Sequence, residues 1–322
     1  MENRFFAQSS DTLKVKNNDC TILIFGENHD KKHGIDLVES VSKYLRKTTD
    51  DSITYAFEHP KSDTREMCEH AHRSSARILM DEATHSLRQI INIKSEIDDY
   101  HNLLKQKNVD AITIKKLIAL SEIRVKELEA DVSKKLNSAS IHYSKAIFHS
   151  QLDRLKIEFA SIDMTDDALN LNQETINANK TLASTEFIDI RDKHMVDQVV
   201  PLLDKSKVLI VHVGELHIKG IIDQLIERGV NPDKITGYVI KSESALDTDQ
   251  ELISSYKKML SDNSITQEMY DKKVDRLLPH LSSKTSRVIP ILMNDNANKD
   301  AFEQSAKQLV DDVQTLHQTH KI

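Results

Sequence analysis

The sequence predicts an α/β fold: a mainly parallel sheet flanked by helices, with a long helical-hairpin insertion and a helical C-terminal part. Three observations carry the prediction. Short continuous apolar runs recur, each closed by a polar residue, the pattern of strands buried on both faces. Two of these runs are joined by one amphipathic helix between residues 21 and 57, which is the span of a parallel, right-handed βαβ unit. Residues 62–154 contain no Gly or Pro and repeat apolar residues every seven positions, as a pair of long helices does.

The first strand is Thr21-Ile22-Leu23-Ile24-Phe25, ending at Gly26. A helix with Ile35, Leu37, Val38, Val41 and Leu45 on one side follows, and Ile53 to Phe57 returns as a second strand ending at Glu58. In the insertion, Ala76, Ala83, Ile90, Ile97 and Leu104 are spaced by seven with Met80 and Leu87 between them. Ile118, Val125, Val132 and Ala139 repeat the spacing beyond Lys107 to Asp110. Each arm of a hairpin built this way is roughly 45 Å long. Lys94 and His101 at seam positions favour a loose packing face over a strict coiled coil. A third strand, Ile157 to Ile162, ends at Asp163. A helix over residues 185–203 carries Phe187, Ile190, Met195 and Val199, and a fourth strand, Val208 to Val213, ends at Gly214. Ile235 to Ile240 is a fifth strand, and the rest reads as mostly helical, closing with Ala301 to His317. The expected organisation is a discontinuous core of residues 1–61 and 155–242, an insertion of residues 62–154 and a helical region of residues 243–322.

Acids and bases are interspersed and the net charge is −7, so there is no basic footprint of the kind nucleic-acid binding needs. Residues 1–11 lack the apolar core of a signal peptide, and no run approaches a membrane span. A cytoplasmic location without membrane association is expected, with leaderless secretion as an effector left open. Cys20 and Cys68, the two cysteines, lack CxxC spacing and read as ordinary strand or helix residues.

The string Gly-Glu-x-His occurs twice, as Gly26-Glu27-Asn28-His29 and Gly214-Glu215-Leu216-His217. Both copies lie between a strand-like run and a helix-like one. With 6 glycines in 322 residues, two at the same place suggest close backbone approach or positive φ. Each copy sets a carboxylate and an imidazole at a helix start, able to bind a divalent metal or to hold a water for deprotonation. The plain alternative makes Glu27 and Glu215 first-turn helix residues and the histidines core donors. Parallel sheets bind ligands at the carboxyl ends of their strands, so His29, Glu58, Asp163 and His217 are expected to face one crevice. Glu58 and Asp163 would otherwise be helix caps. His33, four residues after His29, has metal-ligand spacing but solvent-like neighbours and reads as a surface residue, while His212 alternates within a strand and reads as core. His59 should face away from Glu58. His70, His72, His85, His101, His142 and His149 show no i, i+4 pairing and read as surface residues. Arg191 is either an exposed helical arginine paired with Asp189 or Asp192, or a guanidinium that balances the acids and meets an oxyanion.

Two G-x-x-H motifs closing strands, an acid ending the second strand, and an Arg-Asp-x-x-Met helix before the second motif resemble the superfamily that joins erythromycin esterases, Tiki/TraB proteins and ChaN-type haem-binding lipoproteins. The resemblance covers residues 21–58 and 157–240. It rests on Gly26 and His29, on Glu58, on Arg191 with Met195, and on Gly214 and His217. It implies a hydrolase in which histidines and glutamates activate water for attack on an ester or amide bond. The erythromycin esterases work without metal, the Tiki-like members are divalent-metal proteases, and the ChaN-type members bind haem.

The expected function is therefore hydrolysis of an ester or amide in a small-molecule or peptide substrate. His29 or His217 would be the base, Glu27, Glu58 and Glu215 would orient the imidazoles or help hold a metal, and Arg191 would meet the oxyanion. If a metal is used, His29, Glu58, Asp163 and His217 are its expected ligands. Mixed imidazole and carboxylate donors suit Mn, Co or Zn without choosing among them, and the few aromatics near the motifs argue against haem. The rival expectation is a non-catalytic protein that uses the crevice for a haem-like ligand or presents the helical hairpin to a protein partner.

Overall fold

Six short runs rich in β-branched and aromatic residues form one sheet in the computed structural model, which describes residues 15, 19–27, 32–106, 109–165, 185–281, 288–293 and 299–319. The strands are β1 (Thr21–Glu27), β2 (Ile53–Pro60), β3 (Ile157–Asp163), β4 (Val208–Gly214), β5 (Ile235–Ser242) and β6 (Val288–Met293). They lie in the order β3-β2-β4-β1-β5-β6, and every pairing is parallel. The chain leaves β1 toward β2 and β3, then returns to β4 and runs the other way through β5 to β6. β1 and β4 are thus neighbours whose connections depart in opposite directions, the switch point at which such sheets open a crevice.

The side-chain period of two divides the sheet into two apolar faces. On one, Ile22, Ile24, Ala56, Leu209, Val211 and Val239 pack against Met195, Val196 and Val199 of one helix and Ile218, Ile221, Ile222 and Leu225 of another. In chain order the helices of this unit include α1 (His33–Thr48), α4 (Thr185–Leu203), α5 (Ile218–Glu227), α6 (Glu243–Ser261), α7 (Gln267–Leu277) and α8 (Lys299–Thr319). The second face carries Phe25 stacked on Tyr238 and Tyr55 beside Phe57. Helix α1 covers it, with Ile35, Leu37, Val38 and Val41 buried, and α8 packs on α1. Burying each of these side chains contributes about 1.5–3 kcal/mol.

β6 escapes the sequence reading because Pro290 interrupts its apolar run and its pattern is half exposed. It is an edge strand, one of the places in a sheet that accommodate proline. The region after Ile240 is accordingly not all helical.

The chain divides into two compact units, Met1–Glu66 with Ser150–Ile322, and Met67–His149. The second unit lies within α2 (Arg65–Leu103) and α3 (Ala111–Gln151), the hairpin helices. Asp110 caps α3 by accepting the backbone N–H groups of Ile112 and Thr113. Its seam is Ala83, Ile90, Val125, Leu128 and Val132, flanked by Ile93 and Ile97. Two expectations fail here. Met80 and Leu87 are 56% and 44% exposed, while Ser86 is buried and donates to Asp131 across the seam at 3.1 Å. One partner helix covers only a narrow stripe, and the residues one step round the helix from Leu87 fill it. His72 and His149 are buried, not on the surface. His142 and His149 are seven apart on one side of α3, and the ring of His72 meets both.

Candidate active site at the carboxyl edge of the sheet

Strand β2 ends by delivering Glu58 to the carboxyl edge, β3 delivers Asp163, and β4 turns through a single 3-10 turn, Glu215–His217, that delivers His217. Helix α4 crosses these ends with Arg191 and Asp192 on adjacent positions, and the two residues serve different partners. Arg191 donates through Nε to Asp163 at 3.2 Å and through Nη2 to both Glu58 and Asp163. Burial works against its charge, but the hydrogen bond to Asp163 and the negative charge of Glu58 outweigh it and raise its pKa further. Glu58 also accepts the backbone N–H of Gly214 through Oε2. Glu58, Asp163, Arg191 and His217 therefore do meet at one place. Arg191 does not pair with Asp189 or Asp192.

Asp192, fully buried, bonds His217 Nδ1 at 2.5 Å. An ionised carboxylate only accepts, so Nδ1 carries the hydrogen and donates it. His217 Nε2 then points toward Glu58, 3.5 Å from Oε1, which is too long for a direct bond. Asp192 is itself held by Arg276 of α7, whose Nη2 donates to Oδ2 at 2.9 Å and whose Nη1 donates to the Leu216 carbonyl at 2.6 Å. Asp189 closes the array by pairing with Arg276 and Lys272.

Glycine makes this packing feasible. A Cβ at Gly220 would stand 1.8 Å from Asp192 Oδ2, and one at Gly26 would stand 2.2 Å from the Ile218 side chain and 2.9 Å from the Glu215 Cα. These are close approaches at negative φ, one of the two reasons the sequence offers for scarce glycines.

The other expected site residues fall elsewhere. His29 lies outside the described residues. Glu27 is the last residue of β1 and not a first-turn helix residue, because α1 begins only at His33. It is level with Gly214, and Gly26 is level with Val213, so the two Gly-Glu-x-His copies are one residue out of step and not equivalent corners. Glu27 is buried on the sheet face opposite Glu58, where its Oε2 lies 3.2 Å from His212 Nε2. Glu215 faces Lys241 of β5 at 3.3 Å, and Lys241, buried, also holds Asp249 and the Leu277 carbonyl. His33 is half-buried with its ring against Phe302. His59 bonds Asp63 at 2.7 Å.

Asp192, Arg276, Lys241 and Tyr55 are the buried polar partners that the sequence reading passed over. Asp192 had a usable signal, since it follows Arg191 in the Arg-Asp-x-x-Met string and a neighbouring helical position looks about 100° away. Arg276, on α7 near the far end of the chain, had none.

A divalent ion shared by Glu58 and Asp163 would have to displace the guanidinium that already bridges them. As arranged, the acids have their counter-charge, and His217 has its Nδ1 committed and its Nε2 facing Glu58 Oε1. The set is equipped to move a proton at Nε2 beside a fixed positive charge. The chain matches no protein-family model, no curated protein and no solved structure. Among the described residues no helix is long and apolar enough to cross a membrane.

Proposed function

We propose that this chain is a hydrolase of the erythromycin esterase/Tiki-like type that activates water with His217 and cleaves an ester or amide bond. The observation that supports it most is the buried line Arg276–Asp192–His217 ending at Glu58 and Arg191. Asp192 holds the imidazole in the tautomer whose Nε2 has a lone pair, the arrangement a general base requires. A water hydrogen-bonded to Glu58 Oε1 and His217 Nε2 gives its proton to Nε2 as its oxygen adds to the substrate carbonyl carbon. The oxyanion that forms is met by Arg191, whose contacts among the described residues use Nε and Nη2 and leave Nη1 for it. Collapse expels the alkoxide or amine, which takes the proton back from the imidazolium. No step requires a metal, which favours the esterase-like form over the metal-protease form.

The test is turnover of p-nitrophenyl acyl esters and aminoacyl p-nitroanilides, with metal content measured on the same preparations. His217→Ala should lower kcat by roughly 10²–10⁴-fold in a protein that is still folded, though destabilised by about 1–3 kcal/mol through the lost Asp192 bond. Equal activity in His217→Ala, or none in the wild type, overturns the reading. A stoichiometric metal that leaves with Glu58→Gln and Asp163→Asn would replace the metal-free route.

A second reading has its own observation. The hairpin exposes Ile78, Ile91, Ile112, Leu120 and Ile123, each more than half accessible, and apolar surface of this kind suits a partner-binding arm.

A further inference from the structure

The sheet face opposite Glu58 carries a second polar line. Tyr55 lies on β2, His212 on β4 and Glu27 on β1, three neighbouring strands. Tyr55 is level with Ile210, His212 with Phe57 and Phe25, and Glu27 with Gly214. The three residues therefore climb the sheet diagonally, two positions per strand, and the topmost is at the carboxyl edge. Tyr55 Oη is 2.7 Å from His212 Nδ1, and His212 Nε2 is 3.2 Å from Glu27 Oε2, off the line of a straight hydrogen bond. Relative exposures are 0%, 0% and 1%. Among the described residues, aromatic rings pack along this line: Phe57 lies against both rings, Phe159 lies against Tyr55, and Phe25 is stacked on Tyr238.

An apolar set would pack this face without desolvating three polar groups, so the line needs a reason, and its upper end supplies one. Glu27 Oε2 fills the space a Cβ on Gly34 would need, 2.0 Å from that position. Helix α1 thus clamps the carboxylate from one side while His212 meets it from the other.

We propose that Tyr55 and His212 are positioning residues that fix the Glu27 carboxylate at the β1–β4 switch point, with Gly214 between it and Glu58. The proposal rests on that crevice being the hydrolytic site. The chemistry sets the direction of the relay. A bare lone pair on Nε2 facing a carboxylate would be repelled, so Nε2 carries the hydrogen and Nδ1 accepts from the Tyr55 hydroxyl. Without that hydroxyl the Nδ1 lone pair is buried with no donor. The imidazole then loses its anchor, and Nε2–H its aim at Glu27.

The experiment uses the full chain labelled with ¹⁵N and ¹³C. Long-range ¹H–¹⁵N correlation should show His212 as the Nε2–H tautomer in the wild type. In Tyr55→Phe the His212 ring resonances and the Glu27 side-chain carboxyl carbon should both shift as the ring loses its Nδ1 anchor. On p-nitrophenyl butyrate, Tyr55→Phe and His212→Phe should lower kcat about tenfold with KM unchanged, because a shifted Glu27 displaces the neighbouring Gly214 backbone that holds Glu58. His212→Gln, whose amide N–H reaches the place of Nε2–H, should recover most of it, which a packing role would not produce. An Nδ1–H tautomer in the wild type, or a Tyr55→Phe protein with the Glu27 signal unmoved, overturns the proposal. If the wild type hydrolyses nothing, the hydrolase reading fails by itself and the NMR result still decides whether His212 holds Glu27.

Discussion

In the sheet unit Glu27, Asp163, Asp192, His212, His217, Lys241 and Arg276 are all buried, whereas in the hairpin unit Met80, Ile91, Ile112, Leu120 and Ile123 are all more than half exposed. The two units invert the usual allocation of polar and apolar residues in opposite senses. A sheet covered by helices on both faces supplies enough apolar burial to offset the desolvation of charges, provided each charge finds a partner. Two helices in antiparallel contact have one seam, so half or more of each helix surface faces solvent whatever its sequence. The difference concentrates buried charge in the first unit and exposed apolar surface in the second.

The largest effect should come from breaking the buried array. Asp192→Ala removes one of the two acids paired with Arg276 and frees His217 Nδ1, and should cost about 3 kcal/mol in urea unfolding, the low end for a broken buried pair because Asp189 and the Leu216 carbonyl still hold Arg276. A cost below about 1 kcal/mol would mean that the array is not buried in solution. Gly220→Ala forces a methyl group onto Asp192 and should cost about 1–3 kcal/mol, with the His217 imidazole resonances shifting as Asp192 moves. In the hairpin seam, Ile90→Ala should cost about 2 kcal/mol, the low end for such truncations, because a two-helix seam closes over a gap more readily than a sheet core does.

Acid should act through Asp36 of the first unit and His142 of the second with opposite signs. Burial, opposed by Lys32 and reinforced by Glu39, pushes the Asp36 carboxyl from 3.8 up to about 6. Its folded form therefore binds a proton more tightly than the unfolded chain, and this residue's contribution to stability falls as pH rises from about 4 to 6. Asp36→Asn should raise the melting temperature at pH 7 and leave it unchanged at pH 3. Burial, with Lys145 adding to it, holds His142 below its ordinary 6.5. The folded hairpin thus binds this proton less tightly than the unfolded chain, and this residue's contribution to stability is lost as pH falls from 6.5 through its lower folded value. His142→Gln should flatten that loss. Smallest of all, Ile112→Gln and Leu120→Gln should stay within about 0.5 kcal/mol of wild type. A clearly larger loss would show that something covers this face.

Five of the six strands and both hairpin helices were legible because each is a local pattern, a short apolar run or a seven-residue repeat. β6 was not, since Pro290 and an exposed edge remove the pattern. At the site, Glu58, Asp163 and His217 were legible as polar residues ending buried strands, and that rule holds wherever parallel strands open on a crevice. Which partner each one takes was not. Arg191 reads equally well as surface or site until β2 and β3 are placed side by side, and the duplicated Gly-Glu-x-His conceals a one-residue difference in register that only pairing reveals.

The sequence by itself determined the α/β class, the hairpin and the edge of the sheet at which polar residues gather, because periodicity and strand-end chemistry act within a few residues. Only the tertiary structure decided that Arg191 bridges two acids, that Asp192 and Arg276 stand behind His217, and that Glu27 faces His212 and not Glu58. Those outcomes depend on strand order and register, which bring residues from distant parts of the chain within hydrogen-bond distance, and a buried charge accepts whichever partner that geometry supplies.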